Sequence, residues 1–360
     1  MNKCPNEILG LIFAQACTDD GLTGRSLSLV SEVIRSASRR YALQSIALYG
    51  SYQLSAFASL LDTAVDAEDR RVCHLYLTDR RHVWMEYLPE GFHVNDPSQE
   101  HSTDVILRIL KAATLQTLAL LLFDRYDQPP LTDAIRLPNL EELAVHSSSL
   151  YSHLTQPQLP ECLSLRRLHV IQDFTWPTPS TEAVSRLSPL LTHLRLSRIR
   201  VSRKNTLRDI VQGLERMLQQ DDLASTGFPP TLKRVLVQMQ HPFLYYSTTV
   251  ANELLVLSFG QQLNNIMMRD VRRRIVVLKP ATLEPIEPST THNESNVVFY
   301  MGIRAAWERR GADLEAAVWD IDPSSILHRC MGMMRALYLI LRLAFLIVHV
   351  IADPDIRPYF

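Results

Sequence analysis

A short apolar motif recurs along the chain and constrains its fold more than any other feature. Each copy has apolar residues at offsets 0, 3 and 5, and we call it the 0-3-5 motif. Copies begin at Leu43, Val72, Leu115, Leu140, Leu165, Leu191 and Leu232. The four copies from Leu115 to Leu191 begin 25, 25 and 26 residues apart. Such regular spacing indicates an internal repeat, in which each unit buries its apolar edge against its neighbours.

Helical patterns lie between copies of the motif. The stretches "STDVILRILKAA" and "NTLRDIVQGLERMLQQ" carry apolar residues at helical spacing. An alternation of strand and helix at this period predicts an α/β solenoid of the leucine-rich-repeat type, with parallel strands. Offset 8, the asparagine position of such repeats, holds no asparagine in any copy, so the predicted repeats are degenerate. A general α/β domain remains the alternative.

Residues at offsets 2, 4 and 6 alternate with the apolar positions and are predicted to face the concave side. In the later copies these positions hold a cationic set: Arg167, His169, His193, Arg195 and Arg234. Arginines in this arrangement suit an acidic or phosphorylated peptide through charge-assisted hydrogen bonds. We predict that this set binds a partner, with an ordinary mixed surface as the alternative.

Two helical stretches precede the repeats. The first, "PNEILGLIFAQAC", places Ile8, Leu9, Ile12 and Phe13 on one apolar face. The insert "TDDGLTG" ends it, and "RSLSLVSEVIRSASRR" is predicted to form one further helix. The acidic pair in the insert, Asp19 and Asp20, is predicted to be a solvated surface pair.

These opening residues resemble an F-box, in which a Pro-x-Glu-Ile-Leu helix precedes a Leu-x-x-Val-Ser helix and an "L-x-x-(I/L)-x-L" strand. The chain is similar to the F-box-like proteins with degenerate leucine-rich repeats of mushroom-forming fungi. It departs from the family at Cys4, where a leucine is usual, and in the length of the insert. The resemblance implies adaptor-binding roles for six residues: Pro5, Ile8, Leu9, Ile12, Leu27 and Val30.

The resemblance also implies a function without chemistry of its own. The helices would dock on a Skp-type adaptor of a cullin–RING ubiquitin ligase, and the repeats would hold protein substrates. The alternative is an interaction scaffold with no ligase role, which the departure at Cys4 favours.

The expected organisation has four parts. An F-box-like helical domain spans 1–42, a leucine-rich-repeat-like solenoid spans 43–280, a loop spans 281–295, and a helical C-terminal segment spans 296–360. The solenoid is expected to close with a strand in "RRRIVVLKP", and the proline-rich stretch after it predicts the loop.

The C-terminal stretch from Cys330 to Ala352 is apolar and long enough to span a bilayer. Arg335, Arg342 and His349 recur every seven residues within it, and charge is costly in lipid. We expect a buried or capping helix at 330–352, with a membrane anchor as the less favoured alternative.

Several classes of function lack support in the sequence. The formal net charge of −1 gives no reason to expect nucleic-acid binding. Glycine-rich phosphate loops and the common catalytic motifs are absent, so we expect no enzyme activity, cofactor or metal. Five widely spaced cysteines without a C-x-x-C pair indicate free thiols and a cytoplasmic or nuclear location: Cys4, Cys17, Cys73, Cys162 and Cys330.

Overall fold

The structure is a computed structural model of the 360-residue chain. It describes residues 5–63, 71–79, 102–123, 137–147, 162–172, 181–199, 204–219, 227–239, 250–278 and 293–308. Within these ranges the fold is mixed α/β, built on one sheet of eight parallel strands.

The strands follow one another across the sheet in chain order, from β1 at one edge to β8 at the other. They are β1 (Ser45–Tyr49), β2 (His74–Thr78), β3 (Thr117–Leu121), β4 (Glu142–His146), β5 (Arg167–Ile171), β6 (His193–Ile199), β7 (Arg234–Met239) and β8 (Ile275–Leu278). Because every neighbouring pair is parallel, the chain must return to the same end of the sheet before each new strand.

One backbone pattern joins successive strands at their beginnings. The carbonyl oxygen of Glu141, just before β4, accepts hydrogen bonds from the N–H groups of Arg166 and Arg167, at 2.9 and 3.0 Å. Five other residues that precede a strand use their carbonyl oxygens in the same way: Gln44, Cys73, Gln116, Arg166 and Thr192. This repeated pair of bonds keeps equivalent residues of β1 to β7 in register.

Helices cover one face of the sheet. They are α4 (Gly50–Thr63), α5 (Ser102–Ala112), α6 (Thr181–Leu187), α7 (Lys204–Gln219) and α8 (Val250–Arg269). Their apolar residues form one buried cluster with the strands, in which Leu61, Ile109 and Leu214 are typical helix members. We call this side of the sheet the helix face.

The 0-3-5 motif correctly predicts what the helix face buries. In six of the seven copies all three apolar residues are at most 2% exposed. In the first copy Leu48 is buried, while Leu43 and Ile46 pack partly against the same cluster. Equivalent residues of successive copies lie side by side, as parallel repeats predict: Leu143 aligns with Leu168, and Val145 aligns with Val170. The strand predicted in "RRRIVVLKP" is β8, although Val276 and Val277 are only partly buried.

The N-terminal helices are α1 (Asn6–Ala16), α2 (Leu22–Ser28) and α3 (Glu32–Ser38), followed by one 3₁₀ turn at Arg39–Tyr41. The single helix predicted for the stretch from Arg25 to Arg40 is wrong, because Ser31 caps a new helix. Its backbone is extended and its hydroxyl oxygen accepts a hydrogen bond from the N–H of Ile34.

The prediction that Asp19 and Asp20, in the insert between α1 and α2, form a solvated surface pair is wrong. The carboxylate of Asp19 accepts bonds from the N–H groups of Gly21 and Thr23, at 3.1 and 2.9 Å, and so caps α2. Asp20 forms an ion pair with Arg304 at 3.2 Å. Both carboxylates therefore hold parts of the fold together.

A last helix, α9 (Asn293–Glu308), packs against the face of the sheet opposite the helix face. We call that side the α9 face. Helix α9 begins inside the predicted loop 281–295, so that boundary is wrong for its last three residues. The remainder of the loop lies outside the described residues, as do residues 309–360 of the predicted C-terminal segment.

Among the described helices, none is both long and apolar enough to cross a membrane. The prediction made for 330–352 lies outside the described residues.

Candidate interaction surfaces

Helix α1 is apolar on two opposite sides. Phe13 and Cys17 point inward and are 5% and 2% exposed. Ile8, Leu11 and Ile12, on the other side, lie 46%, 66% and 51% exposed. The prediction of one apolar face joining Ile8 and Ile12 to Phe13 is therefore wrong. The outer side also carries the exposed polar residues Glu7 and Gln15, so three large apolar side chains stand among them in a mixed surface that has the composition of a protein contact.

The same composition continues along α2 and α3. Four further apolar side chains are 58–76% exposed there: Leu22, Leu29, Val30 and Val33. With Ile8, Leu11 and Ile12 they make seven exposed large apolar side chains between residues 8 and 33, and we call this set the N-terminal apolar surface. Large apolar side chains at this density mark interaction sites more often than ordinary surface.

The six residues predicted to bind an adaptor fall into two groups. Pro5, Ile8, Ile12 and Val30 are exposed, whereas Leu9 and Leu27 are half-buried. The prediction did not include Leu11, Leu22 and Val33. The helical period provided a signal for Leu11, because it lies on the side opposite Phe13.

On the α9 face, aromatic residues dock α9 onto the sheet. The ring of Trp307 meets that of Tyr76 edge-on at 5.7 Å, and the ring of Tyr300 meets that of Phe123 at 4.8 Å. Arg304 lies over the ring of Tyr49 at 5.0 Å. Helix α9 therefore reaches the first strands of the sheet, close to the insert that holds Asp20.

Tyr300 is the polar centre of this contact. Its hydroxyl oxygen accepts a hydrogen bond from Arg198 at 2.7 Å and lies 2.9 Å from Nε2 of His146. The Nδ1 atom of His146 donates to the carbonyl oxygen of Leu122 at 2.6 Å. With its proton on Nδ1, the His146 ring accepts a hydrogen bond from the Tyr300 hydroxyl at Nε2. His146 is at offset 6 of the copy that begins at Leu140, a position predicted to face the concave side, and there it contacts the chain's own helix α9.

A bulge in β6 brings Arg198 to Tyr300. The pairing register shifts between Leu196 and Ile199, and Arg198 adopts a left-handed backbone with φ of 59°. Ile199 consequently joins the core of the helix face, while the Arg198 side chain reaches α9. No pattern in the sequence announces this change.

The predicted cationic set does gather on three neighbouring strands. Arg167 aligns with His193, and His193 aligns with Arg234. His169 aligns with Arg195 one step further along the same strands. The set was expected to be an exposed surface, but His169 and Arg195 are 8% and 7% exposed. Arg167, His193 and Arg234 are half-buried, and Arg167 lies 3.5 Å from Glu142.

Ser197 links the two buried members of the cationic set, His169 and Arg195. The Ser197 hydroxyl lies 2.9 Å from Nε2 of His169 and accepts a hydrogen bond from Nε of Arg195 at 3.3 Å. Burial lowers the pKa of His169 well below its ordinary value, and the nearby Arg195 and His146 lower it further. His169 is therefore neutral at pH 7.

Three described cysteines, Cys17, Cys73 and Cys162, are free and buried. Burial raises the pKa of Cys162 to about 11, and burial together with Asp19 raises the pKa of Cys17 to about 11. Thiols with such pKa values are poor nucleophiles at pH 7. In the described part of the chain, no three His, Cys, Asp or Glu side chains gather as metal ligands would.

The chain matches no protein-family model, no curated protein and no solved structure. The assignment of function therefore rests on the N-terminal apolar surface and on the α9 face of the sheet.

Proposed function

We propose that the chain is a non-enzymatic substrate receptor that links a Skp-type adaptor of a cullin–RING ubiquitin ligase to protein substrates. The observation that carries the proposal is the N-terminal apolar surface on α1 to α3. Such a surface is costly to leave in water and is best explained by a protein that covers it. The place of action would be the cytoplasm or the nucleus, where such ligases work.

In this proposal α1 to α3 are an F-box-like unit, and β1 to β8 with their connections are degenerate leucine-rich repeats. Support for the first comes from the order of a Pro-initiated helix and two short helices before the sheet. Support for the second comes from the sequential parallel strands and from the carbonyl pattern at their beginnings. The sheet would carry the substrate, and no side chain is assigned a chemical step.

Co-purification of the full chain with a Skp-type adaptor tests the adaptor role. We expect the wild-type chain to retain the adaptor in equal amounts after size-exclusion chromatography. Changing Ile8→Asp together with Leu11→Asp places two charges in the apolar contact and should weaken binding by at least about tenfold. Both side chains point outward, so the fold should survive.

Val271→Asp is the matched control, because Val271 is 95% exposed and follows α8, outside the N-terminal helices. It should leave adaptor binding unchanged. A wild-type chain that never retains the adaptor would remove the ligase role, and equal losses in both variants would show that the apolar surface is not the contact.

An interaction scaffold without a ligase role is the second candidate. The insert before α2 favours it, since Asp20 is committed to Arg304 of α9 rather than left for an adaptor. This function predicts a captured protein partner in the absence of adaptor. A tether through 330–352 would additionally keep the expressed chain in carbonate-washed membranes, and a soluble pool would exclude the tether.

A further inference from the structure

The outward side of α8 carries two large apolar side chains that the fold does not bury. Phe259, Leu263 and Ile266 of this helix are buried in the cluster of the helix face. Leu257 and Met268 are 61% and 81% exposed. They lie about three helical turns apart in the sequence, so both side chains stand on one line along the helix. Their exposure to water costs free energy in the isolated chain.

The rest of that line is polar but uncharged. Gln261 and Asn264 are exposed between Leu257 and Met268, and we call these four residues the α8 stripe. No residue from Leu257 to Met268 is charged, whereas the exposed side of α5 carries three charged residues. Depletion of charge and the presence of methionine are typical of the centre of a protein–protein contact.

The α8 stripe has the same order of residue types in both directions. Its spacings are four, three and four residues, with apolar side chains at the ends and amides in the middle. When two such helices pair antiparallel, Leu257 of each copy lies opposite Met268 of the other, and Gln261 lies opposite Asn264. Apolar groups then meet apolar groups, and amides meet amides, which both donate and accept hydrogen bonds. Such self-complementarity is what a contact around a two-fold axis requires.

Charge at the end of α8 favours the antiparallel arrangement. Arg269, Arg272 and Arg273 are exposed where the helix ends. Parallel pairing would bring the arginines of both copies together, whereas antiparallel pairing separates them by about 20 Å along the helix axes. Helix α8 is also the last helix of the helix face in the described part of the chain, and it precedes the edge strand β8. The end of a repeat array is where its stacking surface needs a cover.

We infer that the chain forms a homodimer in which α8 pairs antiparallel with α8 of a second copy. The inference goes beyond the proposed function and does not depend on it, because the N-terminal apolar surface and the α9 face belong to other parts of the fold. Two paired helices of this length bury roughly 1,000 Å² in total, at the low end for a specific contact. We therefore expect a dissociation constant on the order of 10 µM.

Sedimentation velocity of the full chain, from about 1 to about 100 µM, tests the inference. The wild type should show a monomer–dimer equilibrium. Leu257→Glu alone and Met268→Lys alone should each weaken it by at least about tenfold, because each variant sets a charge against an apolar partner. An equimolar mixture of the two variants should recover dimers, because antiparallel pairing places the introduced glutamate opposite the introduced lysine. Recovery on mixing also shows that both variants are folded.

Leu60→Glu is the matched control, since Leu60 is a 47% exposed apolar residue of α4 on the same helix face. A second control, Ile8→Asp together with Leu11→Asp, alters the N-terminal apolar surface. Both controls should dimerise as the wild type does. A wild type that stays monomeric at the highest concentration, an equal loss in either control, or a dimer that persists in both α8 variants would overturn the inference. A mixture that stays monomeric would overturn the antiparallel contact.

Discussion

At the scale of single residues, hydrogen bonds around Tyr300 decide how α9 meets the sheet. The residue is 2% exposed, and its hydroxyl group joins Arg198 of β6 to His146 of β4. These partners lie 102 and 154 residues away in sequence. The contact is polar at its centre and aromatic around it, so the Tyr300 hydroxyl contributes to its strength beside the ring contacts.

Tyr300→Phe tests this dependence. Removing the hydroxyl takes an acceptor from Arg198 and a donor from His146, both of which are buried. We expect the free energy of unfolding in urea to fall by about 1–3 kcal/mol. Tyr52→Phe is the matched control at a position that is 78% exposed, and it should change little. Equal effects of the two substitutions would contradict the role given to Tyr300.

His169 makes a prediction about pH. Its pKa in the folded protein lies below that of the unfolded chain, which is about 6.5. Below pH 6.5, His169 is therefore protonated in the unfolded chain but not in the folded protein. The free energy of unfolding consequently falls as the pH falls. Between pH 7.5 and pH 5.5 this site should cost about 1 kcal/mol of stability.

Thermal melting of the wild type and of His169→Gln across that pH range measures the effect. Glutamine keeps a polar side chain near Ser197 but does not titrate, so the variant should lose less stability on acidification. Parallel pH profiles for the two proteins would exclude His169 as a source of the dependence.

At the scale of elements, the packing of α2 depends on a glycine. A Cβ atom on Gly24 would lie 2.5 Å from the carbonyl oxygen of Ala42 and 2.8 Å from its Cα atom. Moving the backbone of Ala42 away from the new Cβ atom would cost free energy. Gly24→Ala should therefore destabilise the protein by about 1–3 kcal/mol.

Gly260 in α8 provides the opposite case. A Cβ atom there would meet only the Met239 sulfur, at an ordinary contact of 3.7 Å. Gly260→Ala should therefore stabilise the protein by about 0.5–1 kcal/mol through helix propensity. Urea unfolding of both variants checks the pair, and changes of the same sign would contradict the close approach of α2 to Ala42.

Sequence patterns predicted which helices and strands occur better than they predicted where those elements end and which of their sides are buried. The helical period identified α5 and α7 with their buried residues, such as Ile109 and Leu214. It missed the end of α2, where the Ser31 cap outweighs the continuing apolar period. It also assigned Ile8 and Ile12 to the same side of α1 as Phe13, because large apolar residues occur on both sides of this helix.

At the scale of the whole molecule, the parallel sheet could be predicted from the sequence, whereas the docking of α9 onto the sheet could not. A recurring motif, whose four central copies begin 25 or 26 residues apart, fixes both the parallel register and the core of the helix face, since each copy faces the same surroundings. The docking of α9 depends on side chains far apart in sequence, such as Trp307 and Tyr76. No periodic pattern in the sequence indicates that these two side chains meet. The burial of His169 and Arg195 was missed for the same reason.

The central claim is that a protein covers the N-terminal apolar surface. Amide hydrogen exchange of the full chain, with and without a Skp-type adaptor, tests it most directly, because α2 and α3 are only seven residues long. Helices this short open readily unless they are held by packing. We predict slower exchange with adaptor present in residues 6–38 and unchanged exchange in β5 to β7. Unchanged exchange in residues 6–38 at saturating adaptor would contradict the account.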